Sequence, residues 1–240
     1  MPKVKAIILL IVGLLSFDAF AAAPAMHVTL GEKWLAVYAP EYTDEEKKLF
    51  LLGTVFPDIR YLGVIKREKT HYKGMTLEKV YAEKSPFKRG MFFHSFVDEY
   101  RERCVRQSGV EKTLKEIPRK QQGTFLKLVE DQILHGQYRW SEFKKYLISI
   151  PDDEKQFGLE LSALTQWHTA LSLYFATTPG NILQQVGMFE QSILTLDAPT
   201  IKSWGMLLPK YAEDPEMTRH VESLLHAFDQ MFTSLHASQQ

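Results

Sequence analysis

The chain has 240 residues, 45% of them hydrophobic, and sets 29 lysines and arginines against 29 aspartates and glutamates. That length supports one domain with a substantial core, and a net charge near zero argues against broad electrostatic attachment to nucleic acid or to an anionic membrane. Cys104 is the only cysteine, so an internal disulfide is excluded and stability has to come from burial or from a metal.

Residues 1–25 read as a secretory signal peptide. Lys3 and Lys5 make a basic start, 6–15 is apolar with one glycine, and Ala19-Phe-Ala21 fits the small-x-small cleavage pattern, with Ala23-Pro-Ala25 as a second stop. The apolar core is shorter than the ~20 residues a spanning helix needs, and no later segment is apolar enough to cross a bilayer. The expected protein is secreted or periplasmic, with 26–240 as a single helical domain. Removing Lys3, Lys5 and Asp18 leaves that domain 27 basic residues against 28 acidic.

Apolar spacing of 3.6 predicts helices over 28–37, 44–52, 88–105, 121–134, 140–148, 152–175, 181–196 and 216–235. Thr43 or Asp44 is placed to cap the second. Phe92, Phe93, Phe96, Val97 and Tyr100 form the apolar side of the third. Prolines at 40, 57, 86, 118, 151, 179, 199, 209 and 215 fall mostly between these patterns. Alternating strand patterns are scarce and no Asn-Gly or Asp-Gly hairpin signal appears, so one all-α domain is the economical reading. The long irregular stretch 56–85 holds Pro57, Asp58, Gly63, His71 and Gly74 among Arg60, Lys66, Arg67, Lys69 and Lys73. It reads either as a solvated basic loop or as a site rim that attracts a phosphate-bearing substrate.

His94 and Asp98 stand four apart, on one helix face and a turn from each other. The offset alone says little, because Asp131/His135, Glu216/His220 and Glu222/His226 share it. His94 differs in lying among Phe92, Phe93 and Phe96, which implies burial, and buried charge needs a partner or a metal. Asp58 follows Pro57, which either presents the carboxylate rigidly or simply forms a turn. His71 sits in a polar loop, and His27 lies just before an apolar helix face. Trp34, Trp140, Trp167 and Trp204 read as core or interface anchors. His220, His226 and His236 read as a solvated helix face. No Walker loop, dinucleotide fingerprint or CxxC is present, and Cys104 has no local support as a nucleophile.

Four motifs in order, His27-Val-Thr-Leu-Gly-Glu-Lys-Trp-Leu, Leu52-Gly-Thr-Val-Phe-Pro-Asp58, Thr70-His71 and Phe93-His94-Ser-Phe-Val-Asp98, resemble the zinc-dependent phospholipase C/D family. The order is similar to that in the catalytic domain of glycosylphosphatidylinositol-specific phospholipase D, and the resemblance covers roughly residues 27–104. It implies the all-helical fold shared by bacterial secreted phospholipases C and single-strand-specific zinc nucleases. It also implies that Asp58, His71, His94 and Asp98 hold one zinc, that Asp98 bridges to a second zinc with His27, and that one to three Zn2+ ions are bound. Asp58 would also be the catalytic carboxylate that orients water.

The family pattern continues with a histidine after the His-x-x-x-Asp motif and then a His-x-x-x-Glu. Here Glu102 and Cys104 follow Asp98, and His168 is followed four residues on by Ser172. The chain offers Glu102, Glu130, Asp131, His135 and His168 for the remaining site, and Arg60 or Lys69 to steady a phosphate. The function implied is hydrolysis of a phospholipid or related phosphoester through metal-activated water, with transient contact at a membrane surface and no nucleic acid partner. The alternative is a non-catalytic helical binding protein that keeps a structural metal site.

Overall fold

The computed structural model describes residues 21–187 and 197–239, and among them all regular structure is helical. In chain order these are α1 (Pro24–Tyr38), α2 (Asp44–Val55), a 3-10 helix at Phe56–Leu62, α3 (Leu77–Ala82), α4 (Pro86–Ser108) and α5 (Gln122–Gln137). There follow α6 (Ser141–Tyr146), α7 (Asp152–Lys155), α8 (Leu161–Tyr174), α9 (Pro179–Gly187), α10 (Ala198–Ala212) and α11 (Pro215–Gln239). No described helix is long and apolar enough to cross a membrane. Residues 1–20 of the expected leader lie outside the described residues. Ala21–Ala25, which that reading sets apart from the fold, are buried within it.

Local chemistry explains where the site-bearing helices start. Thr43 and Glu46 form a reciprocal capping box at α2. Ser85 caps α4, with Pro86 in the first turn, where no backbone N–H is needed. Two predicted stretches differ. The helix expected over 152–175 is broken, because Gly158 adopts the left-handed conformation (φ 69°) between α7 and α8. Of the helix expected over 181–196, the described part is α9, and 188–196 lie outside the described residues.

α10 runs through two prolines that read as breakers in the sequence. Pro199 sits in its first turn behind the Asp197 cap. Pro209 lies inside and cannot donate to the carbonyl of Gly205, but the Gln184 side chain of α9 supplies that bond at 2.8 Å. Burial of Ile201, Trp204 and Leu208 holds the rest of the helix in place.

The frame around the site is the crossing of α2 and α4. A Cβ on Gly53 would stand 2.1 Å from the carbonyl oxygen of Phe87, and one on Gly90 would stand 2.1 Å from that of Phe50. Backbone therefore lies directly on backbone, a separation only glycine permits. Trp34 of α1 stacks on Phe50 beside the crossing, with centroids 4.9 Å apart. All four tryptophans are buried, as expected.

Deeper in, Arg101 donates to both oxygens of Glu130 at 2.7 and 3.0 Å, and His220 meets Glu130 Oε1 at 2.9 Å. This buried triad joins α4, α5 and α11. It corrects the expectation of a solvated His220: the ring is buried because it is the third partner of Glu130. His226 is exposed, as expected, and the side chain of His236 lies outside the described residues.

Candidate metal centre

Five residues far apart in sequence converge under the α2–α4 crossing. His27 is in the first turn of α1. Asp58 is in the 3-10 helix that Pro57 opens. His71 follows a second 3-10 helix, Arg67–Lys69, and His94 and Asp98 project from one face of α4. His27 and His94 are fully buried, and Asp58 and Asp98 nearly so.

The ligand atoms lie close together. His71 Nε2 is 3.2 Å from His94 Nε2, and Asp98 lies 3.3 Å from His27 Nε2 through Oδ1 and 3.4 Å from His94 Nε2 through Oδ2. His71 Nε2 is 3.9 Å from Asp58 Oδ1 and 4.0 Å from Asp98 Oδ2. Donors at ~2.0–2.2 Å from a tetrahedral ion lie roughly 3.3–3.6 Å from one another; the separations among His27, His94, Asp98 and the His71–His94 pair lie close to this, and those from His71 to the two carboxylates are wider. Two overlapping sets result, His27–His94–Asp98 and Asp58–His71–His94, each with its ligand atoms within 4.8 Å of one another.

Neighbouring groups fix which nitrogen faces inward. His94 Nδ1–H donates to the carbonyl of Thr54 at 2.9 Å, which turns Nε2 toward the cluster. Thr70, fully buried, donates its hydroxyl to the carbonyl of Pro57 (3.2 Å) or of Arg67 (3.3 Å), leaving its oxygen to accept from His71 Nδ1–H at 3.0 Å. His71 Nε2 thus also points inward, and two lone pairs would face each other at 3.2 Å unless a proton or a cation lies between them.

The charge state agrees with a proton in that place. Burial lowers His94, but Asp98 beside it more than reverses this and the net direction is up. Burial, then His94, pushes His71 down to about 2. Burial, then His94, also lowers His27. Burial raises Asp98, yet His94 and His27 pull it well below the usual carboxylate range. Both ring nitrogens of His27, Oδ1 of Asp58 and Oδ2 of Asp98 are buried without a hydrogen-bond partner. Buried polar atoms are rarely left so. A set of three imidazoles and two carboxylates with orphaned lone pairs fits a divalent cation.

The N-terminal side of α1 is anchored from below. Ala22 N–H donates to Asp98 Oδ1 at 2.9 Å, and Ala25 and Met26 N–H donate to the two oxygens of Asp131 at 2.7 and 3.0 Å. The other expected site residues stand apart from the cluster. Asp131 is taken by these bonds and by Tyr174 Oη at 2.6 Å. His135 lies among the rings of Trp140, Tyr174 and Phe175. His168 bonds Glu154 at 2.8 Å and the Leu147 carbonyl at 3.1 Å. Glu102 pairs with Arg106, and Glu130 with Arg101 and His220. Burial raises the Cys104 thiol, which makes it a poor nucleophile.

Of the two cations expected to hold phosphate, Arg60 is engaged inside the site, its Nε 3.7 Å from Asp58 and one terminal nitrogen on Tyr61 Oη at 2.8 Å. Lys69 is exposed and does not line the cleft that leads to the metal ligands. That cleft carries Arg67 and Lys73 instead. Both belong to the basic stretch that the sequence offered as a phosphate-attracting rim, though neither was singled out there, and the roles of Thr54 and Thr70 were not anticipated. The only signal for Thr70 was its place beside His71. No family model, no characterised protein and no solved structure matches the chain.

Proposed function

We propose that the protein is a metal-dependent hydrolase, with zinc as its ion and a phospholipid or related phosphoester as its substrate, working outside the cytoplasm after removal of its leader. The observation that supports this reading is the buried five-residue cluster. It has inward-facing Nε2 atoms and orphaned carboxylate oxygens, and it opens to a cleft through His71 and Asp98. His27, Asp58, His71, His94 and Asp98 would hold the ion or ions, which when bound supply Lewis acidity and activate water at neutral pH. Asp58, with the Arg60 guanidinium 3.7 Å away, is the carboxylate placed to orient an incoming water. The second reading, a binding protein with a structural metal, draws on one observation: none of Glu102, Asp131, His135 and His168 reaches the cluster.

Metal analysis of the purified full chain, paired with turnover of a phosphodiester reporter in added zinc, tests both. The expected result is at least one ion per chain, lost in His94→Ala, with turnover that follows metal content. Substoichiometric metal that His94→Ala leaves unchanged would sink the metal centre. Full metal occupancy with no turnover would leave the binding reading in its place.

A further inference from the structure

Building on the metal-hydrolase reading, we propose that Arg67 and Lys73 form the anion subsite of the cleft and hold the phosphoryl group of the substrate there. The cleft encloses about 450 Å³, toward the lower end of what ligand sites span. Its inner end is His71 and Asp98, so whatever fills it touches the metal ligands. Its outer part carries Arg67 and Lys73, both exposed at the rim and both placed to meet phosphoryl oxygens in charge-assisted hydrogen bonds.

The rim is stapled in place. Glu99 of α4 accepts from Gly74 N–H at 2.9 Å, and Lys79 donates to the Gly74 carbonyl at 2.8 Å. The two cations therefore sit on a fixed loop.

Charge couples this subsite to the metal. Arg67 and Lys73 share the cleft with Glu68, Glu99 and Asp98, so its lining carries one more acidic than basic side chain. Divalent cations in the cluster would add positive charge at its inner end, so metal strengthens anion binding.

Titration calorimetry with inorganic phosphate on the full chain, with and without zinc, tests the subsite directly. Phosphate should bind the metal-loaded protein more tightly than the metal-free one. Arg67→Ala and Lys73→Ala should each weaken it about tenfold, with metal content and melting temperature unchanged. Binding within twofold of the parent in both variants overturns the subsite. Metal content is read on every sample, so a chain that binds no metal marks failure of the underlying reading. A chain that binds metal but holds phosphate no better for it marks failure of this one.

Discussion

Thr70 ties the two halves of the cluster together. Its hydroxyl joins the Pro57 carbonyl, next to Asp58, to the ring of His71, and the bond to His71 Nδ1 decides that Nε2 is the ligand atom. Thr70→Val keeps the shape and removes the acceptor, so His71 Nδ1–H loses its partner and the ring no longer favours the ligating tautomer. Outer-sphere partners of this kind are worth about 10–100-fold in metal affinity. Thr70→Val is expected to weaken zinc binding by that factor in a competitive chelator titration, while Thr70→Ser stays near the parent. A Thr70→Val affinity equal to the parent's would remove Thr70 from the site. At this scale the five residues that converge were legible through the family resemblance that their order and types carry. Thr70 was not, since its role depends on which carbonyl a loop brings to it from thirteen residues away. Which cations line the cleft was hidden for a related reason: Arg60, Arg67, Lys69 and Lys73 share one basic stretch, and only its folded path decides which of them faces the cleft.

The α2–α4 crossing sets the distance from Thr54 to His94 and so holds the metal helix in register. Because Gly53 and Gly90 meet backbone rather than side chains, no rotamer change can make room for a methyl group. Gly90→Ala forces the helices apart at the turn that precedes His94. Overpacking typically costs ~1–3 kcal/mol, and the rigidity of this contact places Gly90→Ala at about 3 kcal/mol or more in urea unfolding. Bound metal should fall with it, because the Thr54–His94 bond stretches. Parent-like stability and metal content in Gly90→Ala would refute so close a crossing. Among the elements, α2, α4, α5 and α11 were readable to within a few residues, since apolar periodicity marks all four and the cap at Thr43 agrees with it for α2. The break at Gly158 was hidden because apolar spacing runs on through it. α10 was hidden because the partner that compensates Pro209, Gln184, belongs to another helix.

Across the whole molecule, buried charge links the helices, and one pair of groups makes global stability respond to pH with opposing signs. Asp131 of α5 receives the first turn of α1 and Tyr174 of α8. Burial pushes its carboxyl up to about 7, with Glu130 beside it adding to the rise and Tyr174, Ala25 and Met26 opposing it. His135, one turn further on, is pulled down to about 4 by burial. Between the ordinary carboxylate value and about 7, the folded chain keeps a proton on Asp131 that the unfolded chain has released. That contribution is full at low pH and is lost as pH rises toward 7. His135 behaves the other way: from about 4 to its ordinary value near 6.5 the unfolded chain holds the extra proton, so stability is lost as pH falls through that window. Each slope amounts to about 1.4 kcal/mol per pH unit, and in the parent the two largely cancel. Asp131→Asn removes one of them. Relative to the parent, its unfolding free energy should climb as pH goes from 4.5 to 6.5, whatever constant cost the lost bonds impose. His135→Leu should fall relative to the parent over the same range. Urea unfolding of the metal-free proteins at several pH values separates these trends from the cluster histidines, which titrate alike in all three. Parallel stability curves for the parent and both variants would show that neither group titrates away from its ordinary range, and that the polar anchor beneath α1 is ionised like any surface carboxylate.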